Sequence, residues 1–224
     1  MSLNGVSIIF DLDGTLVDTA PDLASAMNAV LERAGRRAIP ASEVRHMVGR
    51  GARVLIETGF ARTGTPLATE DLSAQVAHFL EHYEANLSRQ SRPFSGVPEV
   101  LSRLLSLGAK LAVCTNKPHS LTLKLLTQLD LSNVFGAVLG ADARPYRKPD
   151  PRHLLDCVAL LGGAAERSVM VGDSETDVAA ARAAGVPIIL VDYGYTSIPV
   201  AELGGDRVIS AFAELPGAIE EILR

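Results

Sequence analysis

The stretch Val6-Ser7-Ile8-Ile9-Phe10-Asp11-Leu12-Asp13-Gly14-Thr15 decides the fold class of this chain. Its first half is apolar, rich in β-branched residues and not alternating, which indicates a strand buried on both faces, as in a parallel sheet. Its second half places two carboxylates, Asp11 and Asp13, directly after that strand, and Gly14 lets the chain turn sharply. Because ligands of open α/β sheets bind beyond the carboxyl ends of the strands, we expect a functional site here.

Four further apolar runs follow along the chain, and helical patterns separate them. The separating stretches carry leucines three and four residues apart, and glycines stop several of them. Strand and helix in repeated alternation predict a doubly wound α/β domain with a parallel, Rossmann-like sheet. The four runs cover residues 111–114, 137–139, 169–171 and 188–191.

One long segment, residues 19–91, interrupts this alternation. It has helical periodicity and no convincing strand, so we expect an all-helical insert between the first strand and the second strand–helix unit. The predicted division is therefore a core of residues 1–18 and 92–224 and a helical cap of residues 19–91. Turn-forming residues at 18–21 and 92–96 are the expected hinges.

Composition and charge exclude several classes of protein. The formal net charge is −5, so no positive field attracts nucleic acid or an anionic membrane. The apolar runs are too short to span a bilayer, and the first residues lack a signal-peptide pattern. The two cysteines form no CxxC pair, which argues against a disulfide framework or a zinc site. We expect a cytoplasmic protein that binds neither nucleic acid nor membrane.

The carboxylates of Asp11 and Asp13 are close enough to repel each other unless a cation or a shared proton relieves them. Mg²⁺, which prefers oxygen ligands, would do so. A plain acidic turn is the alternative. A calcium-binding EF-hand loop is excluded, because such a loop has glycine at its sixth position and glutamate at its twelfth. Counted from Asp11, the glycine is the fourth residue and the twelfth is Asp22.

Asp11-x-Asp13-Gly14-Thr15 after an apolar strand resembles the first signature of the haloacid dehalogenase (HAD) superfamily. Thr115, at the end of the 111–114 run, resembles the second signature, and Lys148 resembles the third. The segment Gly172-Asp173-Ser174-Glu175-Thr176-Asp177 resembles the fourth. The four matches occur in order over essentially the whole chain. The resemblance implies an α/β core with an all-helical cap inserted after the first motif.

The same resemblance implies a phosphatase that works through an aspartyl-phosphate. Asp11 would attack phosphorus, and Asp13 would protonate the leaving oxygen and then activate water. Thr115, Asn116 and Lys148 would bind the phosphoryl oxygens. Individually, each of these residues also has a structural interpretation, such as a helix cap for Thr115 or a solvated surface lysine for Lys148.

The resemblance also implies a magnesium site. Asp11, Asp173 and the backbone carbonyl of Asp13 would hold Mg²⁺, and Asp177 would orient the ligands or water around it. A capping pair at a helix start is the alternative interpretation of Asp173 and Asp177.

Within the insert, Val48-Gly49-Arg50-Gly51-Ala52 resembles the cap motif of phosphoglycolate phosphatases. Two glycines would let the backbone approach a small ligand, and the Arg50 guanidinium would grip a substrate carboxylate. Substrate-binding roles are therefore expected for Arg50 and Gly51. A tight turn with an exposed arginine is the alternative.

Three interpretations of function remain open. The first is a phosphatase for a small phosphorylated metabolite, with 2-phosphoglycolate as the expected substrate. The second is a sugar-phosphate phosphatase or phosphomutase of the same superfamily. The third is a non-catalytic binding module, which the intact carboxylates and Lys148 disfavour. We expect a monomer or a homodimer. Three residues beside the motifs are predicted to lie on the surface or at the rim of the site: Lys117, His119 and Arg147.

Overall fold

The computed structural model describes residues 2–223, and its centre is a sheet of six parallel strands. The order across the sheet is β5-β4-β1-β6-β7-β8, so the first strand lies in the middle. A separate antiparallel pair joins β2 and β3. The strands are β1 Ser7–Phe10, β2 Val17–Asp18, β3 Arg92–Pro93, β4 Lys110–Cys114, β5 Ala137–Leu139, β6 Ser168–Gly172, β7 Ile188–Val191 and β8 Arg207–Ile209.

Nine α-helices lie within the described part of the chain, four of them between β2 and β3 and five after β3. They are α1 Ala20–Arg33, α2 Ala41–Val44, α3 Ala52–Thr63, α4 Thr69–Ala85, α5 Val97–Ser106, α6 His119–Gln128, α7 Pro151–Leu160, α8 Glu175–Ala184 and α9 Leu215–Ile222. None of the described helices is long and apolar enough to cross a membrane.

The strands of the sheet are buried on both faces, as their continuous apolar character predicts. In β1, Ile8 and Phe10 pack into one hydrophobic cluster and Ile9 packs into the other. Helices α7 and α8 contact the strands on the Ile9 side, whereas residues of α5, α6 and α9 belong to the cluster of Phe10. The predicted doubly wound α/β fold is confirmed, and all five predicted strands are present.

The four helices between β2 and β3 pack on one another. Helix α1 contacts α2, α3 and α4, and α3 also contacts α4. Their apolar residues belong to the same hydrophobic cluster as one face of the sheet, so the insert and the core share buried surface. The segment over which the sequence predicts an all-helical insert therefore contains α1–α4.

Two short strands that the sequence did not predict join the insert to the core. Asp18 pairs with Arg92 and Val17 with Pro93, so both predicted hinges lie side by side. The buried carboxylate of Asp22 accepts hydrogen bonds from the backbone N–H of Ser91 at 2.8 Å and from its hydroxyl at 2.7 Å. The two connecting segments are thus tied together where the chain enters and leaves the insert.

Strand β8 was also not predicted, and its composition explains why. It is a three-residue strand at the edge of the sheet, and Arg207 and Val208 are exposed. Such a strand has no apolar run that a sequence pattern can detect.

Candidate active site

The register of the parallel strands brings the predicted site residues together at the carboxyl ends of the strands. Phe10 of β1 lies beside Val113 of β4 and Val171 of β6. The residues that follow these strands therefore emerge next to one another, at the point where the chain order reverses across the sheet. Asp11 follows β1, and Thr115 and Asp173 follow the ends of β4 and β6.

Lys148 lies between two buried carboxylates. Its Nζ atom is 2.9 Å from Oδ1 of Asp11 and 2.6 Å from Oδ1 of Asp177, and all three side chains are at most 5% exposed. Burial lowers the pKa of Lys148, but the charges of Asp11 and Asp177 outweigh this effect and raise it above its usual value. Lys148 is therefore a fixed positive charge beside Asp11, not a solvated surface lysine.

Asp173 is held on both oxygens. The hydroxyl of Thr15 donates to Oδ1 at 2.8 Å, and the backbone N–H of Tyr195 donates to Oδ2 at 2.7 Å. Gly14, with a φ of +89°, lets the chain pass beside this carboxylate, because a Cβ atom there would lie 2.5 Å from Oδ2 of Asp173. The same Cβ would also clash with the ring of Tyr195.

Asp177 has a structural role and a site role at once. Its Oδ2 atom accepts the backbone N–H groups of Asp173 and Ser174, and the Ser174 side chain caps α8 in return. Its other oxygen accepts from Lys148. The interpretation of Asp173 and Asp177 as a capping pair is thus correct for Asp177, whereas its partner in the cap is Ser174 and not Asp173. The cap coexists with the electrostatic contact between Asp177 and Lys148.

Three buried carboxylates, Asp11, Asp173 and Asp177, can bring oxygen atoms within 4.8 Å of one another. Burial raises the pKa of Asp11 to about 7, and burial together with the neighbouring carboxylates raises that of Asp173 well above its usual value. Lys148 is the one cationic side chain of the described residues that forms an ion pair with this group. The negative charge is therefore not fully neutralised by the protein.

These residues fit a divalent metal ion. Oδ1 of Asp11 is buried and has no hydrogen-bond partner among residues 2–223, although Lys148 is at ion-pair distance. A set of carboxylate oxygens with excess negative charge is the donor set that Mg²⁺ prefers. Both observations agree with the magnesium site that the sequence predicted.

Thr115 and Asn116 follow β4 and line the same cavity as Asp11. The Thr115 hydroxyl oxygen accepts the backbone N–H of Lys117 at 3.2 Å, so its own hydrogen is left to donate. The amide of Asn116 donates to the carbonyl oxygens of Gly49 and Lys148 at 3.1 and 3.0 Å. Asn116 thus connects the insert to the loop that carries Lys148.

Lys117 was predicted to lie on the surface or at the rim of the site, and it is instead buried beside Asp13. Lys117 is only 5% exposed, and its Nζ atom is 3.1 Å from Oδ1 of Asp13 and 2.5 Å from the hydroxyl oxygen of Tyr83. It is buried because a carboxylate and a phenol hydroxyl replace the water that a lysine normally binds. Arg147 is exposed as predicted, and His119 is partly buried.

The helical insert covers the cavity that contains Asp11. Its residues Gly49, Gly51, Leu55, Phe79 and Tyr83 line the cavity together with residues of the core. Gly51 has a φ of +91°, a conformation that favours glycine, immediately before α3. The insert therefore contributes an apolar wall, one hydroxyl and glycine backbone to the site.

Arg50 is placed differently from Gly51. Its exposed side chain lines a neighbouring cavity that also includes Asp13, Asp173 and Glu175. Among the described residues that line the cavity of Asp11 and Thr115, Arg50 is not included. Gly51 thus lines the same cavity as the predicted catalytic residues, whereas Arg50 lines the neighbouring cavity.

Three tyrosines with contacts at the site were not predicted from the sequence to have a role there: Tyr83, Tyr195 and Tyr193, whose hydroxyl donates to the backbone carbonyl of Thr15. Tyr195 is the most connected, because its hydroxyl donates to Asp18 at 2.6 Å and accepts the backbone N–H groups of Thr19 and Ala20. Its own backbone N–H holds Asp173. No local pattern around Tyr195 indicates these contacts, since its partners lie far away along the chain.

Comparison with known protein families agrees with this geometry. The sequence pattern of the haloacid dehalogenase-like hydrolases matches residues 8–191. The chain belongs to the haloacid dehalogenase-like hydrolase family. The match runs from Ile8 in β1 to Val191 at the end of β7 and includes every motif from Asp11 to Asp177, so the resemblance inferred from the four motifs is confirmed.

Individual relatives are similar over nearly their whole length. A phosphoglycolate phosphatase of Caulobacter vibrioides is 52% identical over 221 residues, which cover 99% of this chain and 93% of the relative. One from Agrobacterium fabrum is 46% identical, covering 96% and 92%. The crystal structure of a predicted phosphoglycolate phosphatase from Haemophilus somnus 129PT superposes with a TM-score of 0.90 at 31% identity, covering 97% of this chain and 99% of the other.

Proposed function

We propose that this hydrolase is a Mg²⁺-dependent phosphatase that converts 2-phosphoglycolate to glycolate and phosphate through an aspartyl-phosphate on Asp11. The observation that carries the proposal is the arrangement at the carboxyl ends of the strands. The Asp11 carboxylate lies 2.9 Å from the Lys148 ammonium group and forms one buried acidic group with Asp173 and Asp177, and residues of the insert line the cavity beside it. Relatives that are named phosphoglycolate phosphatases, at up to 52% identity, support the phosphatase assignment.

Asp11 is the proposed nucleophile. One of its oxygens forms a bond to phosphorus while the bond from phosphorus to the ester oxygen breaks. Lys148 supports this step, because its ammonium group is 2.9 Å from Asp11 and can neutralise charge on both the carboxylate and the phosphoryl group. The hydroxyl of Thr115 lines the same cavity and has a hydrogen free to donate to a phosphoryl oxygen. Asn116 is the other proposed phosphoryl ligand, and its side-chain amide would have to give up its bond to Gly49 or to Lys148 in order to donate to the substrate.

Asp13 is the proposed acid and base. In the first step it gives a proton to the departing ester oxygen, so that the alcohol leaves uncharged. In the second step it takes a proton from the water that attacks phosphorus, and inorganic phosphate and the free Asp11 carboxylate result. Asp13 lines the cavity of Asp11 and is only partly buried, so its carboxylate can reach a bound ester.

Asp11, Asp173 and the backbone carbonyl of Asp13 are the proposed magnesium ligands, with Asp177 orienting them. The ion would supply positive charge to the phosphoryl oxygens as negative charge develops there. Asp173 is prepared for this role, because Thr15 and Tyr195 fix both of its oxygens. Asp177 contacts Lys148, and one of its oxygen atoms lies within 4.8 Å of oxygen atoms of Asp11 and Asp173, which supports this orienting role.

Residues 19–91 are proposed to act as a cap that selects the substrate. A cavity of this kind, with an apolar wall beside charged groups, favours a small phosphorylated metabolite, and the glycine backbone at Gly51 allows a close approach. Arg50 is the proposed contact for the substrate carboxylate. In this role its side chain would have to extend from the neighbouring cavity, which it lines, into the cavity of Asp11. A sugar-phosphate phosphatase or phosphomutase of the same family is the second candidate, because the core residues are equally suited to it.

The proposed setting is the cytoplasm, with the protein acting as a monomer or a homodimer. Both cysteines, Cys114 and Cys157, are free and buried, which suits a reducing compartment. A net charge of −5 gives the protein no general attraction for nucleic acid.

Phosphate release from a panel of esters would test the proposal directly. The panel contains 2-phosphoglycolate, several sugar phosphates and an aryl phosphate, each measured with Mg²⁺ and with a chelator. We expect metal-dependent turnover that is fastest on 2-phosphoglycolate and that is lost in Asp11→Asn. Turnover concentrated on sugar phosphates would favour the second candidate. A folded protein that releases phosphate from none of the esters with metal present would contradict the proposal.

A further inference from the structure

Tyr83 of the insert hydrogen-bonds Lys117, a residue of the core that also contacts Asp13. Tyr83 of α4 is 1% exposed, and its hydroxyl oxygen accepts a hydrogen bond from Nζ of Lys117 at 2.5 Å. The same Nζ atom lies 4.3 Å from the centre of the Tyr83 ring. The ring is itself held by stacking on Phe79, with ring centres 5.8 Å apart. Tyr83 is thus a rigid partner for the Lys117 ammonium group.

The other partner of Lys117 is Asp13. Nζ of Lys117 is 3.1 Å from Oδ1 and 3.4 Å from Oδ2 of this carboxylate. A lysine has a flexible four-carbon chain and three donors, so two fixed acceptors are needed to hold its ammonium group in one place. Tyr83 and Asp13 are those acceptors, and Lys117 therefore links a residue of the insert to the proposed acid and base.

The remaining side-chain contact of Asp13 leads to the hinge. The hydroxyl of Thr19 donates to Oδ1 of Asp13 at 2.8 Å, and Thr19 is the residue immediately before α1. Lys117 and Thr19 are the two side chains of the described chain that hydrogen-bond the Asp13 carboxylate. One of them belongs to the predicted hinge and the other contacts Tyr83 of the insert, so both partners of the Asp13 carboxylate connect it to the segment 19–91.

We propose that Tyr83 is a positioning residue that acts on Asp13 through Lys117, so that the acid and base is correctly oriented only when the insert covers the cavity. This inference rests on the proposed function, because it assumes that Asp13 transfers the proton to the leaving group. It adds a role for Tyr83 and Lys117, and it gives closure of the insert a direct chemical consequence. When the insert does not cover the cavity, the carboxyl group of Asp13 would not be aligned with the ester oxygen of a bound substrate.

Tyr83→Phe is the sharpest test, because phenylalanine keeps the stacking on Phe79 and the ring beneath Lys117 and removes only the hydroxyl. We would measure kcat/KM for 2-phosphoglycolate, 2-hydroxyethyl phosphate and 4-nitrophenyl phosphate. This ratio reports on the steps up to release of the alcohol, where the two alkyl esters need a proton and nitrophenolate leaves without one. Including 2-hydroxyethyl phosphate separates this effect from any contact with a carboxylate.

We expect Tyr83→Phe to lower kcat/KM at least about ten-fold on both alkyl esters, since small misplacements of a catalytic group are costly. The aryl ester should change less than about two-fold on the same reasoning. Equal losses on all three esters would indicate a merely structural role and would overturn the proposal, as would no loss on any of them. Tyr146→Phe is the matched control, because its hydroxyl bonds Asp156 away from the cavity, and no change is expected there.

Two further measurements show whether the effect passes through Lys117. In a double-mutant cycle with Lys117→Met, Tyr83→Phe should have no additional effect on the alkyl esters, whereas additive losses would overturn the proposed route. A crystal structure of Tyr83→Phe should show Lys117 Nζ displaced from Asp13, and an unchanged contact would also overturn it. This last readout does not depend on turnover, so inactivity of the unmodified protein on all esters would refute the proposed function separately.

Discussion

The two walls of the cavity differ in chemistry. The wall formed by the core carries charge: Asp11, Asp13, Lys117 and Lys148 all line or adjoin it, and each is paired with an opposite charge. The wall formed by the insert is apolar except for the hydroxyl of Tyr83 and the backbone of the Gly49–Gly51 turn. This difference supports the proposal that the core carries out the reaction and that the insert selects the molecule that is bound.

Lys148→Met should cause the largest loss of activity among the substitutions in the charged wall. Asp11 and Asp177 would lose their common ammonium group, so we expect kcat/KM on the best ester to fall at least about 100-fold. Breaking a buried ion pair costs about 3–5 kcal/mol, which should appear as reduced stability to urea without metal. Lys124→Met is the control, because Lys124 pairs with Glu84 on the surface and should behave like the unmodified protein. Unchanged activity in Lys148→Met would refute the assigned role.

Asp173→Asn tests whether the excess negative charge of the core wall serves a metal ion. The amide has the shape of the carboxylate but no charge, so we expect the Mg²⁺ concentration for half-maximal binding to rise at least about ten-fold. Calorimetric titration with Mg²⁺ measures this without any substrate. Asp156→Asn, at a surface carboxylate that pairs with Arg144, should bind Mg²⁺ as before. Equal affinity in both variants would argue against a role for Asp173 in metal binding.

Arg50→Ala tests the insert wall and should give the smallest effect. Arg50 is exposed and lines the adjoining cavity, so we expect only a few-fold loss of kcat/KM on 2-phosphoglycolate, about what an exposed ion pair contributes. The aryl phosphate should lose less, because it has no carboxylate. Arg53→Ala, an exposed arginine paired with Glu57 one turn along α3, is the control. Equal losses on both esters would show that Arg50 does not recognise the carboxylate.

The amino-acid sequence by itself determined the α/β class, the positions of five strands and the family. It did so because buried parallel strands are continuous apolar runs, and because Asp11, Thr115 and Asp173 each follow such a run directly. Their convergence at one edge is a consequence of parallel pairing, so local patterns were sufficient for the fold and for the charged wall of the core.

Only the tertiary structure decided the partners of Lys117, Tyr83 and Tyr195. Lysine is mostly exposed in proteins, so nothing near Lys117 in the chain indicated that Asp13 and Tyr83 would replace its water. Tyr195 holds Asp173 and the hinge residue Asp18, which are 22 and 177 residues away along the chain. Such contacts depend on how distant segments of the chain pack against one another, and this packing leaves no local pattern in the sequence.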